Sequence, residues 1–90
     1  MAFVQVSKAK NLTEEAFHKL AQAWIGDGLD GLLFAVAGPG QDAFYLVEGW
    51  ESREDCDAAM VKLTEAVQRL GIEPPEVTEE EFDLDYRRLV

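Results

Sequence analysis

The sequence predicts an α+β domain in the order βαββαβ, and three observations predict it. Apolar residues recur at helical spacing in two stretches, Phe17-Leu20-Ala21-Trp24 and Cys56-Ala59-Met60-Leu63-Val67-Leu70. Short runs rich in β-branched and aromatic residues flank and separate these stretches. Between the second and third runs stand the turn residues Gly38-Pro39-Gly40-Gln41-Asp42, which mark a hairpin. This order is the ferredoxin-like split βαβ arrangement, a four-stranded antiparallel sheet with two helices on one face.

Taken in order, residues 2–7 (Ala-Phe-Val-Gln-Val-Ser) read as a first strand that stops at the charged segment Lys8-Ala9-Lys10-Asn11. A helix follows: Thr13 can cap it, Glu14 and Glu15 suit the positive end of its dipole, and Leu12 and Phe17 occupy the hydrophobic-staple positions. Gly26-Asp27-Gly28 ends it. Residues 31–37 form a second strand that is apolar on both sides, Leu32, Phe34 and Val36 on one and Leu33, Ala35 and Ala37 on the other. In this topology that strand lies at a sheet edge, where a doubly apolar strand needs a cover. The third strand runs from Ala43 to Trp50. Ser52, with Asp55 three residues on, opens a second helix that Gly71 caps. Pro74-Pro75 prevents its continuation, and residues 76–86 alternate Phe82, Leu84 and Tyr86 with Glu81, Asp83 and Asp85 as a fourth strand.

With 90 residues, 48% of them apolar, the chain reads as one domain over residues 1–90. Its core is small, and an oligomeric partner would add to it materially. Eighteen acids against eight bases give a net charge of −10, concentrated in the second half, which disfavours nucleic acid and membrane surfaces as partners. A neutral or apolar small molecule, or another protein, is left. The longest uncharged run, Gly31 to Gln41, is half the length of a membrane span, and no basic segment with an apolar stretch follows Met1, so a cytoplasmic protein is expected. Cys56 is the only cysteine, which excludes an internal disulfide and a cysteine-based zinc site; its neighbours suit a small buried thiol.

The stretch Phe44-Tyr45-Leu46-Val47-Glu48-Gly49-Trp50-Glu51-Ser52-Arg53-Glu54, then a helix, then Gly71-Ile72 and Pro74-Pro75-Glu76-Val77-Thr78, resembles the antibiotic biosynthesis monooxygenase-like family of the dimeric α/β-barrel superfamily. The resemblance implies a homodimer whose two sheets pack face to face into a barrel, each subunit keeping a pocket between helices and sheet. It also implies that a cofactor-independent oxygenase acting on an aromatic or enolic small molecule is the activity to test. The haem-degrading branch uses an Asn from the first strand, a Trp ending the third strand and a His in the second helix. Here Trp50 matches the Trp, but the first strand offers Gln5 and Ser7 and no residue from 51 to 70 is histidine, so haem degradation is set aside.

Counting by twos puts Phe44, Leu46, Glu48 and Trp50 on one face of the third strand. If Trp50 faces the helices, Glu48 does too, as a desolvated general base or an acceptor for a ligand hydroxyl; the plainer reading is a strand-end acid in water or paired with an arginine. Trp50 suits a planar ligand and ordinary core packing equally. His18, the only imidazole, is the other candidate catalytic base, and a histidine at a helix flank more often faces solvent. Tyr45 and Tyr86 are candidate ligand-binding hydroxyls or dimer contacts. Glu79, Glu81 and Asp83 alternate along one strand about 7 Å apart and do not converge as a metal cage would, so they read as a solvated acidic face and no metal is expected. Gly38-Pro39-Gly40 precedes no helix and therefore fails as a phosphate loop. No cofactor is expected, and a non-catalytic homodimer that binds a small molecule or supports another protein is the alternative to the oxygenase.

Overall fold

The computed structural model describes residues 2–26 and 28–84. Its elements are β1 (Phe3–Lys10), α1 (Glu14–Ile25), β2 (Leu32–Pro39), β3 (Phe44–Trp50), α2 (Arg53–Leu70) and β4 (Glu76–Asp83). The strands form one antiparallel sheet in the order β2-β3-β1-β4, so β2 and β4 are its edges. This is the ferredoxin-like α+β arrangement.

Both helices begin as their capping residues dictate, and α2 also ends on one. Ala16 N–H donates to Thr13 Oγ1 at 3.1 Å, and Asp55 N–H donates to Ser52 Oγ at 3.2 Å. At the far end of α2, Gly71 adopts φ 67°, a left-handed conformation that suits glycine, and lets Ile72 N–H reach Val67 C=O and Gly71 N–H reach Gln68 C=O. Cys56, Ala59 and Ala66 form the buried stripe of α2, with Met60, Leu63 and Val67 packed beside it. Leu70, at the end of the expected stripe, is exposed.

β1 continues through Lys8-Ala9-Lys10, which the charge pattern suggested would end it. As a central strand it has partners on both sides: Ala9 pairs with Phe44 and Val77, and Lys10 with Glu76. Ladder hydrogen bonds from two neighbours outweigh the low strand preference of two lysines.

Because cross-strand partners point to the same side, the register sorts the sheet into two faces. Phe3, Gln5, Ser7 and Ala9 align with Trp50, Glu48, Leu46 and Phe44 on β3 and with Asp83, Glu81, Glu79 and Val77 on β4. This is the inner face, under the helices: the Phe44 ring stacks on Phe17 of α1 at 4.3 Å, and Gln5 meets Cys56 of α2. The core there is built from Phe3 and Trp50 of the sheet, Leu20 and Trp24 of α1, and the α2 stripe. The Trp24 indole N–H ties the helices together by donating to Ala59 C=O at 2.9 Å.

A register shift between Leu32 and Phe34 corrects the expected sidedness of β2. One extra residue in the strand reverses the alternation. Leu32, Ala35 and Ala37 therefore align with inner-face Trp50, Glu48 and Leu46, while Phe34 and Val36 join Gly49 and Val47 on the outer face. There the Phe34 ring lies over Gly49 so closely that a Cβ on that glycine would collide with it. Beside them Val4 is only 4% exposed, yet Phe34, Val36 and Phe82 of the same face are 41%, 60% and 57% exposed. Among the described residues no helix is long and apolar enough to cross a membrane.

Candidate functional site

A cavity of about 110 Å³ lies between the helices and the inner face of the sheet. Phe17 and Trp24 of α1, Leu63 of α2, and Phe44 of β3 supply much of its apolar wall, and Glu48 and Glu79 are its carboxylates. The helical stripe that packs α1 against the sheet thus also builds the pocket, because Phe17, Leu20 and Trp24 recur on one side of the helix.

Glu48 is 1% exposed, and its Oε2 has no hydrogen-bond partner among the described residues. Burial strips water from the carboxylate and pushes its pKa up from the ordinary 4.5 to about 7. The neighbouring Trp50 indole N–H pulls it part of the way back, and the Glu79 charge adds to the rise. That indole is fully buried, and its Nε1 lacks a partner of hydrogen-bonding geometry, so it steadies the carboxylate by proximity rather than by a formed bond. A buried acid with an open acceptor, half ionised near neutrality, is suited to taking a proton from a bound molecule.

Gln5, 5% exposed, sits directly across from Glu48 in the register. Its Nε2 donates to Glu79 Oε2 at 2.7 Å, and its Oε1 accepts from the Cys56 thiol at 3.5 Å. Burial, and then the Glu48 charge, push the thiol pKa up to about 11, so it stays protonated and serves as the donor. The thiol thereby turns the amide so that its NH₂ points at Glu79. The next acid on this face, Glu81, is paired with Arg53 at 2.7 Å, which pulls the carboxyl below and the guanidinium above their ordinary pKa values. The Arg53 guanidinium also lies 4.2 Å from the centre of the Phe3 ring, holding the start of α2 over the β4 edge.

The residues singled out from the sequence are dispersed. Glu48 is in the pocket wall. Trp50 is packed in the core outside the lining, where no planar ligand reaches it without displacing the wall; the aromatic wall is Phe17, Trp24 and Phe44. His18 is exposed on α1, its Nε2 3.6 Å from Glu14, and does not line the cavity. Tyr45 is on the outer face, with Lys8 Nζ 5.4 Å from its ring centre. Tyr86 lies outside the described residues. Sequence reasoning missed Gln5, Glu79 and Trp24 as site residues. The register opposite Glu48 would have found Gln5, since a polar residue amid Phe3, Val4 and Val6 is conspicuous. Among the described residues no group of three His, Cys, Asp or Glu is placed to hold a metal ion.

Fold and pocket together define an α+β chain with a small, acid-bearing apolar cavity beneath its helices. The sequence matches no protein-family model and no curated protein. The structure resembles that of a protein from Chloroflexus aurantiacus assigned as an antibiotic biosynthesis monooxygenase, with TM-score 0.66 and 18% identity over 92% of each chain. It also resembles a variant of SnoaB, a cofactor-independent oxygenase from Streptomyces nogalater, with TM-score 0.69 and 9% identity over 99% of this chain and 98% of that one. The chain therefore has the fold of antibiotic biosynthesis monooxygenase-type proteins.

Proposed function

We propose that the protein is an antibiotic biosynthesis monooxygenase-like homodimer that oxygenates an aromatic or enolic small molecule without a cofactor, with Glu48 as the general base. The observation that carries this reading is the buried Glu48 carboxylate, with a pKa near 7 and an acceptor oxygen left open. The fold shared with a cofactor-independent oxygenase supports it. For a phenol, the reaction balances as follows. Glu48 takes the hydroxyl proton, the electron-rich ring forms a carbon–oxygen bond to one atom of O₂, and the ring hydrogen at that carbon is lost. The second oxygen leaves as water with the two hydrogens the substrate gives up, and the ring departs as a quinone. Trp50 braces the base from behind, and His18, outside the cavity, has no part in this step.

The exposed apolar outer face, with Phe34, Val36 and Phe82, supports association of two copies sheet to sheet. Oxygen uptake with a panel of single-ring phenols tests the activity: uptake in the wild type that is lost in Glu48→Gln is the expected result. Saturable binding without uptake in either protein would instead establish the second reading, a ligand-binding dimer, which the enclosed apolar cavity also favours.

A further inference from the structure

The charges around the cavity are one-sided. Glu48 and Glu79 line it, and among the described residues no lysine, arginine or histidine does. They differ in setting. Glu48 lies deep, with Oε2 unpartnered, whereas Glu79 is exposed on the edge strand and so stands at the mouth. A solvated glutamate ordinarily turns freely, yet a buried amide holds this one in the pocket wall: Gln5 donates to it at 2.7 Å and is itself oriented by Cys56. The nearest basic candidate on this face, Arg53, is engaged by Glu81, and among the described residues no ion pair involves Glu79. A held carboxylate without a cation, beside an aromatic wall, presents the surroundings that an organic ammonium group prefers.

We propose that the pocket binds a single-ring arylalkylamine in its protonated form, the ring against Phe17, Trp24 and Phe44 and the ammonium on Glu79. This names the substrate class of the site and rests on the reading of that cavity as the substrate pocket. Size allows no more than one ring: about 110 Å³ is below the roughly 150 Å³ of a cavity that accepts benzene, so a single ring enters only by pressing the wall outward. The ring therefore fills the interior and its alkylammonium chain leaves through the mouth. A ring hydroxyl at the opposite end from the amine meets the open Oε2 of Glu48. A carboxylate or phosphate in place of the amine would face two acids with no compensating base among the described residues, in a chain of net charge −10.

Three probes that share a phenol ring and differ in the charge of the side chain test this: tyramine, tyrosol and 4-hydroxyphenylacetate. Calorimetric titration into the full chain at low salt should show tyramine binding on the order of fivefold tighter than tyrosol, the gain expected of one exposed ion pair. The acid should not saturate, and added salt should narrow the gap. Glu79→Gln should bring tyramine to the tyrosol level, while Glu80→Gln, on the outer face of the same strand, should preserve the preference. Tyrosol binding as tightly as tyramine, no binding of tyramine, or a preference that survives Glu79→Gln would overturn the proposal. Oxygen uptake separates it from the reading on which it rests. Tyramine held by Glu79 but never oxidised leaves the ligand assignment standing and removes the oxygenase; tyrosol bound and oxidised as well as tyramine does the reverse.

Discussion

The two faces of the sheet invert the usual arrangement of polar and apolar groups. The inner face, covered by both helices, carries Glu48, Gln5 and Glu79 beside its core; the outer face presents Phe34, Val36 and Phe82 to water. Burial without a compensating partner costs a carboxylate dearly, and exposed apolar area forgoes about 25 cal/mol for each Å² that a cover would remove from water. Both costs are concentrated where a second molecule can relieve them: a ligand on the inner face, another copy on the outer. The strand alternation makes this division possible, because neighbouring residues of β3 such as Val47 and Glu48 serve opposite faces.

The comparison breaks most sharply at Glu48. Glu48→Gln should lower oxygen uptake by at least about a hundredfold, the scale of one general base, and the wild-type rate should rise with pH through an apparent pKa of about 7. A rate indifferent to both would assign the inner-face acid another role.

Next in size is the outer face. Val36→Glu should shift sedimentation from dimer to monomer, since it would bury an unpaired charge in the contact, whereas Val61→Glu on the exposed side of α2 should leave association unchanged. An unaltered dimer in Val36→Glu would move the contact elsewhere.

Glu48 also ties the inner face to pH. Its folded pKa of about 7 lies above the ordinary 4.5, so the folded state holds the proton more tightly than the unfolded state does. Its favourable contribution is therefore complete below about pH 4.5, is lost as pH rises to about 7, and amounts to roughly 3 kcal/mol across that window. Denaturant titrations should show this decline in the wild type and not in Glu48→Gln, which at pH 8 should be the more stable of the two.

Leu63→Ala, in the pocket wall and half-buried, should cost about 2 kcal/mol in the same titrations, less than a fully enclosed leucine because the cavity already leaves one side unpacked. Ser52→Ala should cost about 1 kcal/mol by uncapping α2, far from either face's specialised chemistry. An equal loss from these two would mean that Leu63 contributes little to the wall.

The element order, both N-caps, the edge position of β2 and the shared face of Glu48 and Trp50 could be read from the sequence, because each depends on local chemistry or on a period of two. Three features could not. The irregularity between Leu32 and Phe34 contains neither glycine nor proline, so nothing in Leu-Leu-Phe announces it, and it exchanged the predicted sides of Ala35 and Val36. β4 alternates acids with Thr78 and Phe82, a pattern that leaves open which set faces the helices; pairing with Gln5 and Ser7 decides it and makes Glu79 part of the pocket. The pattern left Trp50 open between ligand contact and core and gave Trp24 only a place in the helix stripe; a helix crossing, invisible in a linear pattern, brings Trp24 to the cavity and leaves Trp50 in the core outside its lining.

The two indoles also give the molecule a pair of resonances that report different events. Trp24 Nε1–H is fixed on Ala59 C=O at 2.9 Å, whereas Trp50 Nε1–H points at no acceptor of good geometry. In a nitrogen–proton spectrum the first should therefore appear downfield and the second upfield, both slow to exchange with solvent. A ring entering the cavity touches Trp24 directly, and a proton gained or lost at Glu48 is felt by Trp50. Occupancy and ionisation of the same pocket can thus be followed separately, without a label on either ligand or protein beyond nitrogen-15.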